Sequence, residues 1–454
     1  GILMDKETQI YYTKHFPLTK YKTNLYILFI ERMLQIFTEG IVHFIIPKSL
    51  LFNSYYYKIR SALIKSTEVN EIFTITEKVF DDAEVGSSLL LKFTIKAQPN
   101  IKNIVHLAEA EKIDNFILGT GLTESKLSQD FFLSVPNCEI SIVSAEAARL
   151  LRRLYQLKSI RDFFKLRNGL NPGNIKHILI SEIKADESHK PIIWGKDISP
   201  YYISWSGKYV NYNPNIGISL TMDDVKSKVG MNKQSRIDYS LRTPELFESR
   251  KILIRKTGDS LIASLDDRNY YFDTLVHGIY ETNDDYPLEV LLAILNSKAA
   301  TVFYRFLHDI KGKVFAKISL DNLASFPIPN VADKEFAKIQ IKVKAIISKV
   351  SELRQIQEKF IQFIESKFSL MKISGKLQNW SLLDFNGFIR ELDKGKVVLT
   401  LTQESEWMQY FQEQKDIAEK LKSEINKIEG EIDQMVYELY GLSENEIKIV
   451  EELS

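Results

Sequence analysis

The chain has 454 residues and a mass of 52.5 kDa, enough for about three domains of ordinary size. Its 44% apolar and 26% charged residues, with a mean hydropathy of −0.15, exclude a disordered or membrane-embedded class and imply packed cores. A formal charge of +1 excludes global attraction to nucleic acid, so any such role must come from local clusters of cations.

One cysteine, Cys138, excludes an internal disulfide framework and a multi-cysteine zinc site. The longest apolar runs, residues 25–30 and 41–46, are far shorter than a bilayer span, and no basic segment precedes an apolar one at the start. A soluble, cytoplasmic protein with no membrane partner is therefore expected. The chain opens Gly1-Ile2-Leu3-Met4 rather than on Met, which reads as a fragment of a longer protein.

In chain order, helical spacing begins at Asn24 and runs through Leu25, Leu28, Phe29, Arg32 and Met33, with Gly40 as its stop. Residues 41–46 read as a buried strand, 50–65 as a helix, and 71–76 and 89–95 as further strands. This alternation predicts an α/β layer, but three strands are too few for a complete doubly wound sheet. After Gln98-Pro99-Asn100, residues 99–146 contain Gly119, Gly121 and Pro136 and read as an irregular connector.

Three segments of this first part carry a family resemblance: residues 24–32 (Asn-Leu-Tyr-Ile-Leu-Phe-Ile-Glu-Arg), residues 40–47 (Gly-Ile-Val-His-Phe-Ile-Ile-Pro) and residues 79–85 (Val-Phe-Asp-Asp-Ala-Glu-Val). In this order the sequence resembles the adenine-N6 DNA methyltransferases of the TaqI-like group, which includes fused type IIG restriction-modification enzymes. The resemblance implies a partial methyltransferase (Rossmann-like) sheet over residues 1–98. In the family order 3-2-1-4-5-7-6 the retained strands would be the neighbours 5, 6 and 7. It also implies that Gly1-Ile2 follows an absent Asn-Pro-Pro-Tyr motif, and that the glycine-rich cofactor loop is absent too. Strand 5 would then expose an edge, so residues 41–46 are expected to find a substitute partner or to be covered.

By the same resemblance, Phe80 would stack on a flipped adenine and Val85 would wall that pocket. Phe29 would pack against the adenosyl group of S-adenosylmethionine, with Pro47 beside the same cleft. Read without the family, Phe80 caps a hydrophobic edge, Phe29 is a core-facing helix residue and Pro47 is ordinary punctuation after a strand. No metal site is expected, because the seven histidines lack ligand spacing. His43 reads as a core histidine. Asn296-Ser297-Lys298 reads as the close of a helix that begins near Leu288, rather than as a nucleophile.

Charge segregates in the middle of the chain. Residues 147–177 hold eight Lys/Arg (Arg149, Arg152, Arg153, Lys158, Arg161, Lys165, Arg167 and Lys176) against Asp162, and residues 225–256 hold nine, among them Arg236, Arg242 and Arg255, against three acids. Such local excess suits phosphate contact, and a solvated helix face is the plainer alternative. The resemblance continues through residues 168–173 (Asn-Gly-Leu-Asn-Pro-Gly), 191–198 (Pro-Ile-Ile-Trp-Gly-Lys-Asp-Ile), 205–210 (Trp-Ser-Gly-Lys-Tyr-Val), 251–256 (Lys-Ile-Leu-Ile-Arg-Lys) and 326–329 (Phe-Pro-Ile-Pro). It implies a β-rich target-recognition domain over residues 147–330. Candidate DNA-contacting residues are Arg152, Arg153, Arg161, Arg167, Lys196, Lys208, Arg236 and Arg255; Trp194 and Trp205 read as core.

From Asp333 onward two long apolar stripes predict an antiparallel helical arm over residues 331–454, with Gly441 as a C-terminal cap and a Ser443/Glu446 capping box. The expected whole is α/β plus α+β. It is read as the C-terminal portion of a site-specific adenine-N6 DNA methyltransferase, inactive alone, whose partners are double-stranded DNA and an N-terminal half that binds S-adenosylmethionine. The alternatives are a stand-alone specificity subunit that recruits a separate methyltransferase chain, and a scaffold that binds no DNA.

Overall fold

The computed structural model describes residues 5–19, 24–80, 86–216, 220–221, 237–258, 260–282, 285–308, 317–329, 333–368, 370 and 372–454. Two compact units emerge. The first comprises residues 1–158 with 305–311, and the second residues 159–304 with 312–454. The whole is mixed α/β, with several small sheets and a helical C-terminal region. Among the described residues no single helix is long and apolar enough to cross a membrane.

The first unit contains α1 (Lys6–His15), α2 (Leu25–Ile36), β1 (Gly40–Pro47), α3 (Tyr57–Ser66), β2 (Glu68–Ile75), β3 (Ser88–Ile95), β4 (Ile104–Ala110), α4 (Ile113–Leu118), β5 (Thr123–Ser128) and α5 (Ala145–Leu154). Its sheet runs β1-β3-β2-β4-β5. β3 is antiparallel to both β1 and β2, so the first three strands stand in the 5-7-6 order that the resemblance implies. β2 pairs in parallel with β4, and β4 antiparallel with β5.

Residues 99–146 are thus not an irregular connector, because they supply two strands of this sheet. Weak local signal conceals them: β5 has Leu127 as its one apolar residue, and the pairing of β4 with β2 joins segments more than thirty residues apart. The boundary expected at residue 147 falls instead after Lys158. α5 buries Ala147, Ala148, Leu150, Leu151 and Leu154, so its arginines belong to the first unit.

A buried arginine stiffens this unit. The Arg60 guanidinium donates to the carbonyls of Leu50, Asn53, Asn137 and Cys138, which ties α3 to two loops and satisfies an otherwise costly buried charge.

β1 departs from expectation. Ile41, His43 and Ile45 are exposed while Val42 and Ile46 are buried, so His43 is not a core histidine and the strand is not buried throughout. Nor does a substitute partner strand appear: among the described residues β1 pairs with β3 alone. The preceding helix ends at Ile36, and Gly40 opens the strand instead of stopping the helix.

The second unit begins with β6 (Phe164–Asn168), α6 (Lys176–Leu179), β7 (Ile180–Ser181), β8 (His189–Ile193), β9 (Ile198–Ser199), β10 (Tyr202–Ile203), β11 (Tyr209–Asn211), β12 (Lys251–Arg255), β13 (Ala263–Asp266), β14 (Tyr271–Phe272) and β15 (Val276–Glu281). These form sheets ordered β13-β12-β15-β6 and β14-β8-β11-β7, and the small pair β10-β9. One core joins Ile192, Ile193, Val210, Leu253, Phe272 and Val276, and the Phe247 and Tyr271 rings stack at 4.2 Å, a pair contributing about 0.5–1.5 kcal/mol beyond its area.

Cross-strand partners Lys251 and Asp266 are fully buried, with Nζ 2.7 Å from Oδ2. Burial pushes the Asp266 carboxyl up and the Lys251 ammonium down, while their contact pulls each back toward the charged form. Phe247 O also accepts from Lys251, and Asp266 accepts from the backbone of Arg268 and Tyr270. Every polar atom of the pair is therefore engaged locally.

The helices that follow are α7 (Leu288–Asn296), α8 (Lys298–His308), α9 (Leu320–Ala324), α10 (Asp333–Phe368), α11 (Gly375–Gln378), α12 (Phe385–Lys394), α13 (Leu401–Leu439) and α14 (Glu444–Leu453). α7 ends at Asn296 as the sequence suggests. α10 and α13 pack against each other along the apolar stripes read from the sequence, and interhelical pairs Lys342–Glu431 and Lys349–Glu424 flank the seam. Gly441, at φ 59°, lets its own N–H and that of Leu442 cap the carbonyls of Glu438 and Tyr437. The Ser443/Glu446 capping box is formed.

Candidate nucleic-acid interface

Two motifs that lie far apart in sequence meet at one turn of the second unit. The first, residues 168–173, runs off β6 and is held by its backbone: Leu170 N donates to Phe272 O at 2.9 Å, and Asn171 and Ser240 exchange hydrogen bonds at 2.7 and 2.8 Å. Its glycines are steric necessities. A Cβ on Gly169 would stand 2.1 Å from Phe272 O, and one on Gly173, at φ +49°, would stand 1.7 Å from Asp238 O.

The second motif, Trp194-Gly195-Lys196-Asp197, follows β8 as a single 3-10 turn. The Asp197 carboxylate closes it by accepting from Trp194 N at 2.8 Å. A Cβ on Gly195 would lie 3.5 Å from Leu275 O.

Both motifs converge on residues 273–275, which join β14 to β15. Asp273 accepts from Leu275 N through Oδ1 at 2.9 Å and from Val276 N through its carbonyl at 3.1 Å. Just after β12, Lys256 N donates to Leu275 O at 3.0 Å and its Nζ to Thr274 O at 3.1 Å. Burial pushes the Asp273 carboxyl pKa up, opposed by the Leu275 N–H and by the nearby Lys176 and Lys256 ammonium groups, while Asp197 adds to the rise. The acids Asp197 and Asp273 are buried; Lys176 and Lys196 are exposed and Lys256 half-buried. A cationic surface thus overlies a buried acidic base.

His277 braces this corner. It is fully buried, with Nδ1 2.8 Å from Asn168 Oδ1 and Nε2 2.9 Å from Ile318 O. Burial holds its pKa down, although both ring nitrogens face acceptor oxygens, the Asn168 side-chain oxygen at Nδ1 and the Ile318 carbonyl at Nε2.

The other residues singled out from the sequence scatter. Arg167 is exposed at the end of β6, and Lys208 sits 3.3 Å from Glu182. Arg255 is half-buried, and its Nε has no hydrogen-bond partner among the described residues. The Arg161 guanidinium donates to Ala324 O and Asp321 O, an anchoring task at the end of α9. Arg152 and Arg153 lie on exposed positions of α5 in the first unit, Arg152 3.8 Å from Asp130 and over the Phe131 ring. Arg236 lies outside the described residues. Trp194 and Trp205 pack against the core as the sequence suggests, and Trp205 Nε1 donates to Lys208 O.

In the first unit Phe80 is 47% exposed and Phe29 62% exposed, while Pro47 ends β1 half-buried. Phe29 is therefore not core-facing; Ile27, Leu28 and Ile30 take that face of α2. Val85 lies outside the described residues. Among the described residues no group of three or more His, Cys, Asp or Glu could hold a metal ion. The sequence carries little local signal for Asp273, Leu275 and His277. The one trace of them was an Asp opening a turn that contains an apolar residue.

Residues 2–80 match the Eco57I restriction-modification methylase family, residues 190–328 the TaqI-like C-terminal specificity domain, and residues 332–436 a domain of unknown function. The chain is thus a methylase segment joined to a specificity domain. These segment matches support a likeness to the TaqI-like restriction-modification methyltransferases. The type II methyltransferase M.AccI of Acinetobacter calcoaceticus is 29% identical over 172 residues, 36% of this chain and 31% of that protein.

Two solved structures are also similar. The type IIL restriction-modification enzyme MmeI, solved in complex with DNA, matches over 95% of this chain and 52% of its own at 11% identity and a TM-score of 0.46. The type IIG restriction endonuclease BpuSI matches over 76% and 47% at 15% identity and a TM-score of 0.31. The chain spans about a third of M.AccI and about half of each of these two enzymes.

Proposed function

We propose that the chain is the DNA-reading portion and part of the catalytic domain of a site-specific adenine-N6 DNA methyltransferase in a cytoplasmic restriction-modification system. The observation that carries this reading is the convergence of residues 168–173 and 194–197 on the turn 273–275 beneath exposed lysines, the last two of these segments lying within the span 190–328 matched to a specificity domain. Rigid backbone there presents mobile cationic side chains, the arrangement by which phosphate contacts set register before base edges are read. Lys176, Lys196, Lys208, Arg167 and Arg255 are the candidate contacts in this unit.

The first unit supplies one wall of a base pocket. Phe80, open on one face, is available to stack on an adenine rotated out of the duplex, with Val85 beside it in the chain. The three strands β1-β3-β2 are read as the last three of a doubly wound methyltransferase sheet. Phe29 also fits a cofactor role, because its ring is open to pack against the adenosyl group of S-adenosylmethionine, with Pro47 at the end of the neighbouring strand. When bound, that cofactor supplies an electrophilic methyl group. No Asn-Pro-Pro-Tyr sequence occurs in the chain, so the groups that orient the adenine amine come from elsewhere, either another part of the parent or a second subunit.

The test is a titration of duplex DNA at several salt concentrations, followed by incubation with labelled S-adenosylmethionine. The expected result is binding whose logarithm falls linearly with the logarithm of salt, and no methyl transfer by this chain alone. Salt-independent retention, or transfer without added protein, contradicts the reading.

A further inference from the structure

Leu275 is 47% exposed, whereas Phe272, Asp273, Val276 and His277 around it are buried. A single exposed leucine is ordinary on a protein surface. This one is distinguished by its support and its surroundings.

Five hydrogen bonds fix the backbone beneath it. Leu275 N donates to Asp273 Oδ1 and Val276 N to Asp273 O, Lys256 donates to Leu275 O and Thr274 O, and Leu170 N donates to Phe272 O. The apolar side chain is thus presented by a turn whose ordering entropy is already spent in folding, which favours contact over collapse. Around it stand Lys176 and Lys256, both near enough to act on the Asp273 carboxyl, and the exposed Lys196 of the adjoining 3-10 turn. The two acids of the corner, Asp197 and Asp273, are buried beneath.

An apolar protein partner would be met by more apolar surface, since lysine is depleted from the centre of protein interfaces. One exposed leucine on a turn that also bears nearby lysines instead suits a polyanion whose phosphates flank an apolar group. In the major groove of a duplex that group is the 5-methyl of thymine.

We propose that Leu275 is a specificity-determining residue, making an apolar contact with the 5-methyl group of a thymine in the recognition sequence while Lys176, Lys196 and Lys256 engage the flanking phosphates. This rests on the reading of the second unit as the DNA-reading part. The test uses the full chain and the preferred duplex recovered from a randomised pool. Each thymine of that duplex is replaced in turn by uracil, which deletes only the methyl group.

For the unaltered protein, one replacement weakens binding about fourfold, the equivalent of one methylene-sized contact. In Leu275→Ala binding falls by roughly tenfold, and the same uracil replacement becomes silent, because the two changes remove one contact. An unchanged tryptophan-fluorescence melt shows that the variant is folded. Uracil effects of equal size in both proteins, or a Leu275→Ala variant with unaltered affinity and sequence preference, overturn the proposal while leaving the DNA-reading role intact. Absence of any duplex binding by the unaltered chain overturns both.

Discussion

The two units end their sheets in different ways. In the second unit the β13-β12-β15-β6 sheet terminates at β6 with exposed Lys165 and Arg167, and its cross-strand pair Lys251–Asp266 is sealed from water. In the first unit the margin at β5 is guarded in the same manner, by exposed Thr123, Glu124 and Lys126. The margin at β1 is not: Ile41 is 66% and Ile45 58% exposed, and the strand carries no Lys, Arg, Asp or Glu. Charges on an edge strand prevent further pairing, so a bare apolar edge is the mark of a strand made to be paired. The second unit thus closes its margin with charge and seals its buried ion pair, whereas the first leaves apolar residues of β1 and of α2 exposed.

The sharpest way to break the second unit is Asp266→Ala. It leaves the Lys251 ammonium buried without its partner and is expected to cost about 3–5 kcal/mol. All four tryptophans lie in the second unit, so a denaturant titration read by tryptophan fluorescence reports that loss directly. A midpoint within error of the unaltered chain would contradict the role given to the pair.

A smaller loss follows from Gly173→Ala. Its Cβ would be driven onto Asp238 O in a left-handed backbone conformation, an expected cost of about 2 kcal/mol by the same readout.

The third effect depends on pH. Because burial depresses the His277 pKa in the folded state, the folded unit resists protonation more than the unfolded chain does. Stability is therefore full above the unfolded value of about 6.5 and declines as pH falls from there toward the folded pKa. His277→Gln, which retains a donor and an acceptor, is expected to flatten this acid-side decline in urea midpoints measured across that interval. An equal decline in both proteins would show that another group is responsible.

The smallest effect on stability is expected from Ile45→Lys, within about 0.5 kcal/mol as for other surface changes. Its consequence is on association. Sedimentation of the unaltered chain should show concentration-dependent self-association through β1 that the lysine abolishes, while Lys126→Ala at β5 leaves it unchanged.

Much of this organisation was legible in the sequence. The apolar stripes of α10 and α13, the Gly441 cap and the 5-7-6 order of the first three strands all rest on local periodicity or on ordered motifs, and periodicity survives translation into structure. What was not legible depends on non-local pairing. β4 is short and broken by His106 and Glu109, β5 has Leu127 as its one apolar residue, and nothing local announces that β4 will pair with β2. Phe29 and His43 satisfy an apolar pattern yet are exposed, because a pattern shows which residues share a face, not whether that face has a cover. Charge clustering misled in another way, placing α5 with the recognition domain because of its arginines, whereas its five buried apolar residues tie it to the first unit.

The central claim is that the second unit reads DNA sequence. Selection of bound duplexes from a pool with a randomised core tests it most directly. Enrichment of one short sequence, weakened by raised salt and blurred at a single position in Leu275→Ala, is the predicted result. A recovered pool as random as the starting one, at any salt concentration that permits binding, would contradict it.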